Sequence, residues 1–183
     1  MANFDVYSRF LSSWEGGYVH DADDPGGETM RGVTIRVWND YCKRKGVTCG
    51  LRGMTDVHWG EIMKEGYWDK VGGDGIRSQG VAMMVADWAV NAGWRTAAKG
   101  LQRCAGVNVD GIVGKMTLGA VNGMNEAVLF RALLAARLEY YRELARKKVA
   151  MRKFLNGWEN RTRSIRLRSM VLNDKGKTEV WVG

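Results

Sequence analysis

The residues equipped for chemistry lie early in the chain, in Glu15-Gly16-Gly17-Tyr18 followed by Asp21, Asp23, Asp24, Pro25-Gly26-Gly27, Glu28-Thr29 and Gly32. Phe4, Tyr7, Leu11 and Trp14 recur at three- and four-residue steps and predict a first helix, with Asn3 as its cap. Carried on at 100° per residue, that helix sets Glu15 about 20° from Phe4 and about 40° from Leu11, on the edge of the buried stripe. Desolvation there disfavours the charged form and raises the acid's pKa, as a general acid working near neutral pH requires. Gly16 and Gly17 then end the helix and let a ligand approach the backbone. Asp24 can sit across a short hairpin from Glu15, which supplies the pair of carboxylates used in glycoside hydrolysis. Thr29 offers a hydroxyl to a water or a sugar, while Asp21 and Asp23 compete with Asp24 for the partner role. A Glu before two glycines is by itself an ordinary surface residue, and the acid-rich loop is what turns the reading toward catalysis.

Rival chemistries fit less well. Counted from Asp21, an EF-hand needs acids at positions 1, 3 and 5 and a Glu at position 12, but Pro25 and Gly32 stand at the last two. Gly72-Gly73-Asp74-Gly75 lacks the Lys-Ser/Thr ending of a phosphate loop. His20 and His58 are the only histidines, so a zinc site or a nucleophile–histidine pair has few candidates, and His58 reads as part of a helix start. The expectation is no metal and no cofactor. Cys42, Cys49 and Cys104 are odd in number; the spacing permits a Cys42–Cys49 bridge, and synthesis in the cytosol favours free thiols.

Positioning these groups is the work of a globular chain of 183 residues, 45% hydrophobic with eight Trp and ten Met, which excludes disorder. That length supports one domain, or a domain with a subdomain, without disulfides or metal. No apolar run reaches the ~18 residues of a membrane span, and no basic-then-apolar leader opens the chain. Net charge is +8, and residues 146–168 hold nine basic side chains against Glu159, so the whole excess sits there. That segment is either a solvated helix face or, through Arg161, Arg163, Arg166 and Arg168, a surface for an anionic polymer. Nucleic acid is the weaker partner, since the segment has no interleaved aromatic ladder.

Most of the chain reads as helix. A second runs from Thr34 through Val37, Trp38 and Tyr41 to Gly46; Thr55 caps a third with Trp59, Ile62 and Met63 inward. Ser78 opens a fourth, Val81 to Asn91, stopped by Gly93, and a fifth covers Thr96 to Cys104. Asn125 caps the longest, with Phe130, Leu134, Leu138, Tyr141 and Leu144 or Ala145 at helical spacing. A basic helix follows Gly157, and Thr178 to Val182 reads as a single strand. No Asn-Gly or Asp-Gly turn joins two alternating strands, so any sheet is small.

Glu15-Gly16-Gly17-Tyr18, Asp24-Pro25-Gly26-Gly27, Thr29 and Gly32 resemble the signature of phage-type muramidases grouped as glycoside hydrolase family one hundred and eight, also called predicted peptidoglycan-domain or secretion-activator proteins. Tyr67-Trp68-Asp69 resembles the motif closing that family's catalytic half. Asp87-Trp88-Ala89-Val90-Asn91-Ala92-Gly93, Leu101-Gln102, and Asp110 to Gly114 with Thr117 resemble its peptidoglycan-binding-like half, and Phe154 to Trp158 with Asn160-Arg161 its end. The resemblance implies a mainly α, lysozyme-like fold with a small β-hairpin or loop after the first helix. It divides the chain into a catalytic part at 1–72, a peptidoglycan-binding-like part at 73–170 and a tail at 171–183. It implies cleavage of the bond between N-acetylmuramic acid and N-acetylglucosamine, with Glu15 as the catalytic acid. More distantly, phage lysozymes separate Glu and Asp by eight residues and Asp and Thr by five; Glu15 and Asp24 keep the first gap, and four residues separate Asp24 from Thr29.

Tyr18 and Trp68 are assigned to substrate binding, Trp68 either stacking on sugar or filling the core. Asp87 and Asn91 either line the cleft or satisfy buried backbone groups. Asp110 to Ala120 either binds stem peptides or launches the next helix. The expected partner is peptidoglycan, met by a monomer without membrane insertion at the periplasm or wall. The rival reading is a non-catalytic wall-binding or secretion-assisting module.

Overall fold

The computed structural model describes residues 1–14, 16–19 and 28–173. Among them the chain forms eight α-helices and one three-stranded antiparallel sheet, which is the expected mainly α fold with a small hairpin after the first helix. The chain divides into two compact units, one of residues 5–66 and one of residues 1–4 with 67–183.

In the first unit, α1 (Phe4–Ser12) buries Tyr7, Phe10 and Leu11. It stops sooner than its apolar pattern predicts. The N–H groups of Ser13 and Trp14 bond three residues back, to Phe10 and Leu11, and Ser13 Oγ also donates to the Phe10 carbonyl at 2.7 Å. This tighter winding takes the chain off the α-helical path. Trp14 is consequently 38% exposed rather than inward.

The sheet follows. Strand β1 (Tyr18–Val19) pairs with β2 (Thr29–Met30), and β2 with β3 (Val33–Thr34), each two residues long. Arg31 (φ 50°) and Gly32 (φ 76°) join β2 to β3, the two positive φ values of a twist-matched two-residue hairpin. Arg31 is the only non-glycine residue with positive φ among the described residues. Several contacts hold it there: its guanidinium pairs with Asp56 and lies 4.5 Å over the Trp59 ring, and Trp59 Nε1 donates to its carbonyl at 3.0 Å.

Helix α2 (Ile35–Lys45) is capped by Thr34, whose hydroxyl accepts from the Val37 N–H, and ends on Gly46 at φ 71°. Helix α3 (Asp56–Met63) is capped by Thr55, with His58 closing a reciprocal box through Nδ1. Trp38, Tyr41, Trp59, Ile62 and Met63 are buried, as their spacing predicts.

The second unit is built on α4 (Gln79–Ala92), whose residues Gly80 to Ala89 are all buried. A helix apolar on every side belongs at the centre. Against it pack α5 (Trp94–Cys104), α7 (Glu126–Lys147) and α8 (Leu155–Asn173), with α6 (Lys115–Gly123) between α5 and α7 in sequence. Ser78 and Asn125 cap α4 and α7 as expected. The last helix starts at Leu155, not after Gly157, because a 3-10 stretch, Val149–Phe154, feeds directly into it. The strand expected at Thr178 to Val182 lies outside the described residues. No helix among the described residues is long and apolar enough to cross a membrane.

Candidate active site

Glu15 and Asp24, the two carboxylates singled out by sequence, lie outside the described residues, as do Asp21 and Asp23. What the structure describes is the frame on either side of them. Val19 is in register with Thr29 and Tyr18 with Met30, which pairs the strands that precede and follow segment 20–27 in the sequence. Cross-strand partners share a face and neighbours alternate. Thr29 therefore shares a face with its partner Thr34, while Tyr18, Met30 and the buried Val33 belong to the other. The sheet thus places Thr29 and Tyr18 on opposite sides. Tyr18 is half-buried, with the Arg52 guanidinium 4.1 Å over its ring.

Trp68, Asp87 and Asn91 belong to the second unit. The Trp68 ring has no exposed surface; it meets Phe4 edge-on at 5.8 Å, and its Nε1 donates to Asp74 at 2.6 Å. A sugar has no access to that ring. Asp87 is also fully buried. Arg137 donates to its Oδ2 and Arg161 to its Oδ1, both at 2.7 Å, and Asn91 Nδ2 donates to the Asp87 backbone carbonyl at 2.8 Å. Both residues thus engage internal partners. Burial lifts the Asp87 carboxyl, and the two guanidinia outweigh it, holding the group below the usual carboxylate range. Arg137 also donates to Tyr141 Oη at 3.2 Å. Sequence reasoning passed over Arg137, although it stands three residues after Leu134 and four before Tyr141, on the face already read as buried.

The stretch from Asp110 onward is organised by another buried side chain. Gln102 donates from Nε2 to Asp110 Oδ1 at 2.7 Å and to the Ile112 carbonyl at 3.0 Å, and its Oε1 accepts from the Gly111 N–H at 2.7 Å. With Gly111 at φ 81°, this fixes the turn that leads into α6.

In the first unit a second titratable cluster joins α2 to α3. Tyr41 Oη donates to Glu61 at 2.7 Å, and Lys45 reaches both Glu61 and Glu65. Burial, then the Glu61 hydrogen bond, pushes Tyr41 up to about 12, and the same hydrogen bond holds Glu61 below its ordinary value. Cys42, Cys49 and Cys104 are free thiols. Among the described residues no group of three or more His, Cys, Asp or Glu is arranged to hold a metal ion.

A mainly helical chain with a small antiparallel sheet after its first helix has the lysozyme-like fold. Residues 8–93 match the family model for glycosyl hydrolase 108, and residues 96–163 the model described as a predicted peptidoglycan domain. Among solved structures, SagA of Brucella abortus is 30% identical, with 95% of this chain and 98% of that one covered and a TM-score of 0.79. No curated protein matches. The chain belongs to the glycosyl hydrolase 108 family, and its two matched regions give it a peptidoglycan-related, lysozyme-like function.

Proposed function

We propose that the chain is an N-acetylmuramidase that cleaves the β-1,4 bond between N-acetylmuramic acid and N-acetylglucosamine. The observation that supports this most is where the motif stands in the sequence relative to the paired strands. In the sequence Glu15 stands three residues before β1, and Asp21, Asp23 and Asp24 lie between β1 and β2, which pair with each other. An acid and a second carboxylate are the pair that glycosidic cleavage uses. Glu15 protonates the leaving oxygen. Asp24, or a neighbouring Asp, supports the oxocarbenium-like transition state or orients water, and Thr29 holds a water or a sugar hydroxyl. Such an enzyme needs no cofactor and acts at the periplasm or wall, in lysis or in secretion.

The test is hydrolysis of purified peptidoglycan by wild type, Glu15→Gln and Asp24→Asn, with thermal midpoints measured alongside. Glu15→Gln keeps shape and hydrogen bonding but delivers no proton, so its rate falls by about 10²–10⁴-fold or more at an unchanged midpoint. Asp24→Asn loses less, because Asp21 or Asp23 substitutes in part. Full lytic activity in Glu15→Gln overturns the mechanism in favour of a non-catalytic wall-binding module.

A further inference from the structure

Between α5 and α7, with α4 beneath, the second unit holds a cavity of about 520 Å³, within the range of small-molecule sites. Its floor is aromatic. Trp88 comes up from α4, and Tyr140 of α7 meets it edge-on at 5.7 Å. The indole reaches this position only because residue 100 on α5 is glycine: a Cβ there would stand 2.4 Å from the Trp88 ring. The indole Nε1 is buried and has no hydrogen-bond partner among the described residues.

Charge is confined to the rim and is uneven. On the α7 side, Glu143 is bonded by Arg146 at 3.0 Å and Lys147 at 2.8 Å, and Glu139 pairs with Arg146. On the α5 side Arg103 is exposed and makes no ion pair among the described residues. The acids are answered from their own helix, and the uncommitted charge at the mouth is a cation. The complementary ligand is a short chain of small apolar groups that ends in, or carries, a carboxylate.

Every lining residue except Trp88 falls within residues 96–163, the region matched as a predicted peptidoglycan domain. We propose that this cavity binds the peptide stem of peptidoglycan, the half-buried Tyr140 ring, backed by the buried Trp88, receiving alanine methyl groups and Arg103 a stem carboxylate. The proposal rests on peptidoglycan being the substrate and assigns a second contact with it, made to the peptide rather than to the glycan. Its apolar lining suits methyl groups better than the hydroxyls of a bare sugar.

The experiment titrates the full chain with a synthetic stem tetrapeptide, and separately with peptide-free glycan fragments, by calorimetry and by the indole N–H resonances. The expected result is a tetrapeptide-induced shift of the Trp88 resonance. Arg103→Glu weakens binding about tenfold or more, and Arg103→Lys, which keeps the charge, stays within a few-fold of wild type. Circular dichroism on each variant establishes that it is folded. Absence of tetrapeptide binding, equal affinity in Arg103→Glu, or a Trp88 shift produced by peptide-free glycan instead overturns the proposal. The probe contains no glycosidic bond, so failure here leaves the Glu15 mechanism standing, and failure of that mechanism leaves this binding result readable.

Discussion

Asp87 shows most directly how a single side chain governs the second unit. Its carboxylate is buried between Arg137, itself fully buried, and Arg161, and both guanidinia pair with it. Taking one partner from a buried pair costs more than the pair contributes, because the remaining charge stays desolvated. Asp87→Asn is therefore expected to destabilise by about 3–5 kcal/mol and to lower the thermal midpoint by roughly 10 °C, read by calorimetry. An unchanged midpoint would remove the cluster from any role in stability. The pH dependence has a definite sign. The folded-state carboxyl titrates below its ordinary value, so its contribution is complete above the unfolded-state pKa of about 3.9. It is lost as pH falls through the lower folded value. Wild type should thus lose stability steeply below about pH 4, and part of that slope should be missing in Asp87→Asn. Little of this was legible in the sequence. Asp87 and Asn91 stood out as polar residues four apart on an apolar helix, but choosing between a cleft and an internal bond needed the position of Arg137. An arginine within a leucine and tyrosine stripe reads as a surface residue until an acid is found facing it.

Elements were readable where a side chain announces a boundary and unreadable where backbone winding decides it. Thr34, Thr55, Ser78 and Asn125 each carry an oxygen that accepts from the third residue beyond, and each stands where the capping chemistry predicted. The end of α1 and the start of α8 carry no such signal. At α1 the chain tightens over Ser13 and Trp14, and at α8 a 3-10 stretch passes into the helix without a break. The hairpin turn was missed for a different reason. Its first residue is Arg31 rather than Asn or Asp, and its positive φ is held by Asp56 and Trp59, which are distant in sequence. Close packing is equally hidden. Gly73 reads as a loop glycine, yet a Cβ there would fall 2.3 Å from the Trp68 ring, which is fully buried and tied to Asp74. Gly73→Ala must displace that indole, and the expected cost is about 1–3 kcal/mol. Chemical denaturation reads it; a wild-type midpoint would mean that the ring has room to move.

For the molecule as a whole, the sequence places the entire net charge in residues 146–168, and several of the described cations there are committed to partners. Arg146 and Lys147 answer acids on α7, Arg163 pairs with Glu159 at 2.8 Å, and Arg161 is turned inward to Asp87. The expectation that Arg161 forms part of a polymer-binding face is therefore corrected: its side chain is 11% exposed and belongs to the buried cluster. Of the segment's cations whose side chains are described, those that make no ion pair among the described residues are Lys148, Arg152 and Lys153, in the turn between α7 and α8; the side chains of Arg166 and Arg168 lie outside the description. Arg152 is partly committed, its Nε donating to the Ala145 carbonyl at 3.2 Å. Lys148 and Lys153 are then the charges best placed to meet a polyanionic wall. The double variant Lys148→Glu/Lys153→Glu should co-sediment less with purified peptidoglycan at low ionic strength, with its thermal midpoint unchanged because both side chains are exposed. The deficit should fade as salt is raised, since the Debye length falls from about 10 Å at 0.1 M to about 3 Å at 1 M. Arg161→Glu should behave differently, losing stability at every salt concentration because it sets a second carboxylate against buried Asp87. Equal sedimentation of wild type and the double lysine variant at low salt would reduce the basic segment to a solvated face, and wall attraction would then have to come from elsewhere on the chain.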